Sequence, residues 1–267
     1  MTGRETEAAV TPDAEAALRE RFRPEPDPAF LGRLRSDTRA RHARLAKNLA
    51  WFDLRFHLGP LRIVHDGELV HLVSNDPAHF RDLAGESLGF VPDEGEKPGV
   101  RASVERALAG KVRGSEVAFL GELPSFHRHV LEATARIPRG EVRPYAWVAR
   151  QAGTPGAVRA AGTALAHNPV PFVVPCHRVV KSDWELGRYS AGGTSVKARI
   201  LTFEGLEIAR LTELHARGVR YLGHGGSTFC IPGCGGAWEP VGDSRTFRSV
   251  DEALAVGYSP CTECRPA

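Results

Sequence analysis

The first regular pattern along the chain is an alternation of apolar and polar residues between positions 51 and 73. Its apolar-rich segments are residues 53–58, 61–64 and 69–73. They are separated by Gly59-Pro60 and by Asp66-Gly67, and Asp-Gly between two apolar segments is a strong hairpin signal. The pattern therefore predicts a small sheet.

Shorter patterns complete this part of the chain. They predict helices at residues 77–83 and 100–109, a loop at 92–99 and a strand at 117–120. We assign residues 51–120 to a small N-terminal α/β subdomain and find no candidate chemistry in it.

From Ser125 onward the apolar spacing becomes helical, until Pro138-Arg139-Gly140 ends the first helix. A second helix is predicted at residues 145–152 and a third at 155–167, with Thr154 as its N-cap and proline at its first position. A helix, a glycine-containing turn and another helix predict a helix-turn-helix.

The third helix is nearly bare of bulky side chains. Its small residues are Gly156, Ala157, Ala160, Ala161, Gly162, Ala164 and Ala166. Such a helix suits close packing on another helix, and it also suits a nucleic-acid groove that excludes bulky groups. Arg159 is its only cation before His167, which suggests an arginine inserted into a base stack.

Cys176 is the only cysteine in the first 229 residues. An apolar segment precedes it, Pro175 fixes the adjoining backbone, and His177 and Arg178 follow. A base or a cation beside a cysteine favours the nucleophilic thiolate. A small buried core residue remains the alternative on these residues alone.

The other four cysteines lie in the last 38 residues, in a C-x3-C pair and a C-x2-C pair. They are Cys230, Cys234, Cys261 and Cys264. Two disulfides are one interpretation. The absence of an export signal and the short paired spacings favour a tetrahedral Zn²⁺ site in a module of residues 220–267, joined by a linker at 207–219.

Composition sets the remaining limits. The 267 residues are 42% hydrophobic, no apolar run is long enough to cross a bilayer, and the N-terminus lacks a signal core. Residues 1–50 form an Ala-rich, basic extension whose predicted helix at 33–47 is either a DNA contact or a loosely docked segment.

Positive charge is concentrated in the middle of the chain. The net charge of the chain is +3, yet residues 141–200 hold eight Lys and Arg residues against three acidic residues. Such a segment is either a solvated face or a footprint for a polyanion.

The motifs together resemble the O6-alkylguanine-DNA alkyltransferases. They are Pro175-Cys176-His177-Arg178-Val179, the preceding Asn168-Pro169-Val170-Pro171 and the small-residue helix. The resemblance covers residues 52–206 and is strongest from 143 to 204. It implies a winged-helix-like alkyltransferase domain at residues 121–206, and hence an α+β protein of two subdomains and a zinc-binding domain.

The resemblance implies a catalytic group of three residues. Cys176 takes the alkyl group from guanine O6, His177 acts as its base through a water, and Glu204 orients the histidine. This is the arrangement of nucleophile, base and orienting group found in other nucleophilic sites. The alkyl donor is the lesion, so no organic cofactor is implied, and each molecule acts once.

The resemblance also implies how DNA is bound. The helix at residues 155–167 enters the minor groove, Arg159 fills the space of the extruded base, and Tyr145 rotates the nucleotide and hydrogen-bonds the guanine. Extrusion exposes an O6 atom that a stacked duplex hides. The implied partner is double-stranded DNA containing O6-alkylguanine.

Asn168 is implied to hold the turn before the cysteine, and Tyr189 and Ser190 to line the base pocket. Two departures lie nearby. Trp184 stands where relatives usually have glycine, and the turn that begins at Tyr189 is one residue longer. Both bear on the size of the alkyl group accepted.

The C-terminal module resembles the metal-binding domain of the bacterial adaptive-response methyltransferases. There the first cysteine, Cys230 here, is both ligand and nucleophile toward methyl phosphotriesters. Relatives have basic residues after the second cysteine, where this chain has Gly235-Gly236-Ala237-Trp238, and they place the module first. A structural or DNA-docking zinc module is therefore favoured over a second repair activity.

The expected protein is a single-turnover DNA alkyltransferase. It is expected to be a monomer, without membrane contact, in the cytoplasm and nucleoid of a bacterium. The alternatives are a dual repair protein that also uses Cys230, a lesion-binding protein without repair activity, and a cysteine hydrolase. The hydrolase leaves the small-residue helix, Arg159 and the basic segment unexplained.

Overall fold

A computed structural model describes residues 48–224, 226–234 and 245–266. The predicted helix at 33–47, with the rest of the extension up to residue 47, lies outside the described residues, as do residues 235–238. The described part is a mixed α and β fold, as the sequence predicts. None of its helices combines the length and apolar character that a bilayer crossing requires.

Four strands form the first sheet, in the order β3-β2-β1-β4. They are β1 (Ala50–Phe56), β2 (Gly59–His65), β3 (Val70–Ser74) and β4 (Asp93–Glu94). The first three are antiparallel neighbours, and β4 pairs parallel with β1. The alternation of the sequence is explained by one buried face, on which Phe52 and Leu54 of β1 meet Leu61 of β2.

Three local predictions in this region are wrong. Helix α1 (Phe80–Leu88) begins later than predicted, because the Asp76 carboxylate accepts hydrogen bonds from the backbone N–H groups of Ala78 and His79 and holds them in a turn. The predicted loop at 92–99 contains β4. The predicted strand at 117–120 makes only an isolated bridge, between Ala118 and Val70.

Three helices lie between residues 125 and 166, where the helix-turn-helix was predicted. Helix α2 (Pro98–Leu108) precedes them, and they are α3 (Ser125–Ala135), α4 (Tyr145–Gln151) and α5 (Val158–Ala166). The prediction that Thr154 caps the third helix is wrong. The Thr154 carbonyl instead closes a turn with the N–H of Ala157, and Ala157 takes the N-cap position without a side-chain bond.

Two short strands, β5 (Arg143–Pro144) and β6 (Val179–Val180), pair in parallel beside these helices. Helix α6 (Gly193–Phe203) follows the loop after β6. The first sheet, α3 to α5 and part of α6 bury one continuous apolar cluster, and Cys176 lies in it.

A second sheet forms the C-terminal part, in the order β10-β8-β7-β9. Its strands are β7 (Tyr221–His224), β8 (Thr228–Cys230), β9 (Thr246–Phe247) and β10 (Ser259–Pro260), with helix α8 (Val250–Ala255) before β10. Helix α7 (Ile208–Ala216) lies where the linker was predicted. Its Leu211 and Leu214 are buried in a cluster that also contains Val142 and Cys230, so this segment packs on both sides.

Candidate active site

Cys176 begins a single 3₁₀ turn, Cys176–Arg178, and is buried. The side chain of Asn168 fixes the turn that leads to it. Its Oδ1 accepts a hydrogen bond from the Val170 N–H at 3.1 Å, and its Nδ2 donates to the Val174 carbonyl at 2.9 Å. The same Nδ2 lies 3.2 Å from Cys176 Sγ. Asn168 therefore shapes the turn and contacts the sulfur.

The residue after the cysteine is joined to the end of α6. His177 Nε2 lies 3.1 Å from Glu204 Oε1. Arg178 also binds this carboxylate, with Nε 2.9 Å from Oε2 and one terminal nitrogen 2.7 Å from Oε1, and its other terminal nitrogen donates to the Ile137 carbonyl at 2.7 Å. All three side chains are almost completely buried. The contact between His177 and Glu204 was implied by the family resemblance, whereas the binding of Glu204 by Arg178 was not predicted.

Burial and charge set the ionisation of this group. Burial by itself raises the pKa of Glu204, but the hydrogen bonds from His177 and Arg178 dominate and lower it to about 2. Burial lowers the pKa of His177 below its ordinary value despite the carboxylate. The imidazole is therefore neutral at neutral pH, with its proton on Nε2 facing Glu204. Its Nδ1 is a buried acceptor without a hydrogen-bond partner in the described structure.

The thiol of Cys176 is protonated at rest, because burial raises its pKa. The hydrogen bond from Asn168 and the charge of Lys197 act in the opposite direction. Lys197 is completely buried, and its ammonium donates to the carbonyls of Val179 and Leu186. Burial lowers the pKa of Lys197 to about 8. Sequence reasoning missed this residue, and only its place among the apolar residues of α6 hinted at burial.

A cavity of about 320 Å³ opens beside Cys176, at the lower end of the range for small-molecule sites. Its lining residues come from α4, α5, the cysteine turn and the loop before α6: Tyr145, Arg159, Gly162, Thr163, Leu165, Ala166, Cys176, Arg188, Tyr189 and Ser190. Five of the predicted site residues therefore meet at one cavity. Gly162 faces the ring of Tyr145, where a Cβ would lie 3.8 Å from a ring carbon.

The two tyrosines of the cavity are kept protonated. Burial raises the pKa of Tyr145 and raises that of Tyr189 well above its ordinary value. The Tyr189 hydroxyl is buried and has no hydrogen-bond partner among the described residues. It is therefore a donor available to a molecule in the cavity.

The basic segment at residues 141–200 contains both buried and exposed cations. Arg143, Arg178 and Lys197 are buried and bind groups inside the protein. Arg159 and Arg188 are exposed at the rim of the cavity. Only part of the charge that the sequence assigned to a polyanion footprint is therefore on the surface.

The four C-terminal cysteines lie together. Their Sγ atoms are all within 4.8 Å of one another, and none forms a disulfide. They are contributed by β8, the turn after it and the segment after β10. Thiolates about 2.3 Å from a zinc ion lie roughly 3.8 Å apart at the corners of a tetrahedron. The residues present therefore fit a zinc ion after a small contraction.

Comparison with known proteins shows which family and which characterised proteins this chain resembles. Residues 125–206 match the family described as "6-O-methylguanine DNA methyltransferase, DNA binding domain". The methylated-DNA–protein-cysteine methyltransferase of Mycolicibacterium paratuberculosis is 42% identical over 110 residues, which cover 37% of this chain and 66% of that protein. The protein of that name from Mycobacterium bovis is 36% identical over 115 residues, which cover 43% and 69%.

The solved structure of Mycobacterium tuberculosis O6-methylguanine methyltransferase aligns with this chain at 29% identity and a TM-score of 0.46. The alignment covers 58% of this chain and 92% of that chain. For five curated relatives the matched region spans between 39% and 66% of the relative's length. The Mycobacterium bovis relative is matched over 69% of its length at 36% identity. On that match, this chain belongs to the methylated-DNA–protein-cysteine methyltransferase family.

Proposed function

We propose that this protein repairs DNA by irreversible transfer of the alkyl group of O6-alkylguanine to Cys176. The observation that carries the proposal is the cavity that Cys176 shares with Tyr145, Arg159 and Tyr189. It combines a nucleophile, aromatic walls and a cation on a helix of small residues. The names of the relatives support the same activity for this chain.

Transfer begins with the thiol proton. His177 is neutral and its Nδ1 has no hydrogen-bond partner among the described residues, so it accepts the proton of Cys176 through a bridging water. The thiolate attacks the alkyl carbon, the S–C bond forms and the O6–C bond breaks. The electron pair of that bond stays on guanine, which takes up a proton at N1 from water, and the imidazolium of His177 then releases the thiol proton to water. Glu204 holds the histidine and stabilises the imidazolium that forms.

The nucleotide must leave the duplex to reach the sulfur. A stacked guanine presents O6 in the major groove, whereas Cys176 lies below the rim of a cavity lined by α5. The small residues of α5 allow its backbone to approach a groove closely, and exposed Arg159 takes the space left in the base stack. Tyr145 and Ser190 contact the extruded base. Asn168 keeps the cysteine turn in place.

We further propose that Cys230, Cys234, Cys261 and Cys264 hold one structural zinc ion. The bound ion would crosslink the four cysteines and thereby stabilise a module that is too small to fold on its apolar core alone.

A second repair activity at Cys230 is the weaker candidate. Cys230 is 2% exposed and packs in an apolar cluster with Leu222 and Ile231. A phosphotriester in a DNA backbone has to reach the sulfur that it alkylates. The burial of Cys230 therefore supports a structural role.

The test is a titration of the protein with duplex DNA containing one O6-methylguanine, with methyl transfer followed by intact-protein mass spectrometry. One methyl per chain, with no further turnover in excess DNA, is the expected result. Multiple turnover, or release of free base without protein methylation, would contradict the proposal. A duplex with a methyl phosphotriester and normal guanine tests Cys230 separately.

A further inference from the structure

Residues 181–190, in the loop between β6 and α6, supply Arg188, Tyr189 and Ser190 to the cavity of Cys176. The second half of this segment is fastened to α6. The Leu186 carbonyl accepts from Lys197, and the Gly187 carbonyl accepts from the Thr194 hydroxyl at 3.1 Å.

The first half of the loop is fastened to the C-terminal part of the chain instead. The carbonyls of its residues 182 and 183 accept hydrogen bonds at 2.8 Å from Arg220 and from His215 Nδ1, respectively. The indole N–H of Trp184 donates to the Val219 carbonyl at 2.8 Å. Three consecutive residues of the loop are therefore bound to α7 and the segment after it.

Trp184 is the centre of this attachment. Its side chain is 3% exposed and packs in one cluster with Leu211, Leu214 and Val219. Its backbone has φ +74°, a conformation that disfavours any residue with a Cβ. A bulky residue keeps such a conformation only where its surroundings determine it. The buried indole and its hydrogen bond are those surroundings.

The loop also borders a second cavity. A cavity of about 580 Å³ lies between it and α7, lined by Trp184, Leu186, Arg188 and Leu211 among others. Tyr145 and Arg188 line both this cavity and that of Cys176. The loop therefore lies between two cavities, and the attachments at residues 182–184, 186 and 187 set the position of its residues.

We infer that Trp184 is a positioning residue that attaches the base-pocket loop to helix α7 and to the segment after it, which pack on the C-terminal module. The inference rests on the proposed function for the meaning of the pocket. Helix α7 and the segment after it act as a rigid support for Arg188, Tyr189 and Ser190. The cluster that holds the indole also contains Cys230, Cys234 and Cys264 of the module. The four-cysteine site is thereby packed against the support of the active-site loop.

The experiment compares Trp184→Gly, Trp184→Phe and Phe247→Ala in the full chain. Trp184→Gly removes the attachment and relaxes the backbone at φ +74°, while Trp184→Phe keeps most of the burial and loses only the N–H donor. Phe247→Ala is the matched control, because Phe247 is buried in a separate apolar cluster of the module. Each protein is assayed at a temperature where all are folded.

Three quantities are measured: methyl transfer at saturating O6-methylguanine duplex, affinity for undamaged duplex, and hydrogen exchange of residues 181–190. For Trp184→Gly we expect transfer to slow by about 10-fold or more, because small displacements of positioning groups are costly. We expect faster exchange in the loop and unchanged affinity for undamaged DNA. The transfer rate and the loop exchange rate of Trp184→Phe should lie between those of Trp184→Gly and those of the native chain.

The inference would be overturned if Trp184→Gly transferred the methyl group at the wild-type rate. It would also be overturned if residues 181–190 of this variant exchanged hydrogen at the native rate. Equal slowing by Phe247→Ala would also overturn it, since the effect would then follow from lost stability. Failure of the proposed function is recognised separately, because the native chain would then transfer no methyl group. The exchange measurement tests the attachment in either case.

Discussion

His177 Nε2 and Glu204 Oε1 are 3.1 Å apart, although the residues are separated by 27 positions. The pair is enclosed, with side chains 2% and 6% exposed. It joins the turn that carries the cysteine to the end of α6, and Arg178 completes it from the next position along the chain. The Glu204 carboxylate therefore both holds the cysteine turn in place and orients the histidine that is proposed to act as the base.

Replacing Glu204 by Gln tests this coupling through acid stability. The pKa of Glu204 falls from 4.5 to about 2 on folding, so its contribution is full above pH 4.5 and is lost as the pH falls toward 2. That shift corresponds to about 3 kcal/mol. We expect urea unfolding at pH 7 to show Glu204→Gln destabilised by about 3–5 kcal/mol, since Arg178 is left buried without its partner.

The difference between the native chain and Glu204→Gln should shrink between pH 4.5 and 2. Parallel stability profiles over this range would show that the carboxylate is not ionised as described. Alkyl transfer should also slow in Glu204→Gln, because the imidazolium formed at His177 loses its counter-charge.

The sequence predicted much of this site and missed the parts that depend on burial. The family resemblance implied roles for Cys176, His177 and Glu204, and the structure places His177 beside Glu204. Lys197 was counted only as part of the basic segment, and Arg178 was interpreted as a cation beside the thiol rather than as a partner of Glu204, because a sequence does not show which cations a fold encloses. Thr154 had the chemistry of an N-cap, yet a backbone turn used its carbonyl instead.

Lys197→Met should raise the pH at which Cys176 reacts. The charge of Lys197 lowers the pKa of Cys176, so its removal leaves a thiol that ionises less readily. We expect transfer at pH 7.5 to slow by about 3- to 10-fold and its pH profile to move upward. The measurement is the single-turnover rate from pH 6 to 10, with exposed Lys111→Met as the control. Superimposable profiles for Lys197→Met and the native chain would refute this role.

Arg159→Ala should impair repair of duplex DNA without changing the reactivity of Cys176. Arg159 is exposed on α5 at the rim of the cavity, and its proposed place is the gap left by the extruded base. We expect duplex repair to slow by about 10- to 100-fold, corresponding to the cost of extrusion.

The reaction of Arg159→Ala with free O6-methylguanine base should stay at the native rate, because a free base needs no extrusion. Exposed Arg81→Ala controls for the loss of one positive charge. Equal slowing with duplex and free base would place Arg159 in the chemistry rather than in extrusion.

Cys264→Ser should remove the metal ion and loosen the C-terminal module. Cys264 is completely buried, and its Sγ lies within 4.8 Å of the other three sulfurs. We expect one zinc ion per native chain, substoichiometric zinc in Cys264→Ser, and a lower unfolding temperature for that variant. Cys176→Ser should retain its zinc. Full zinc content in Cys264→Ser would exclude the four-cysteine site.

The most direct test locates the transferred group. The native chain, Cys176→Ala and Cys230→Ala are each incubated with O6-methylguanine duplex, digested and analysed by peptide mass spectrometry. The account predicts one methyl on the peptide containing Cys176 in the native chain and in Cys230→Ala, and none in Cys176→Ala. A methyl group that persists in Cys176→Ala would contradict it.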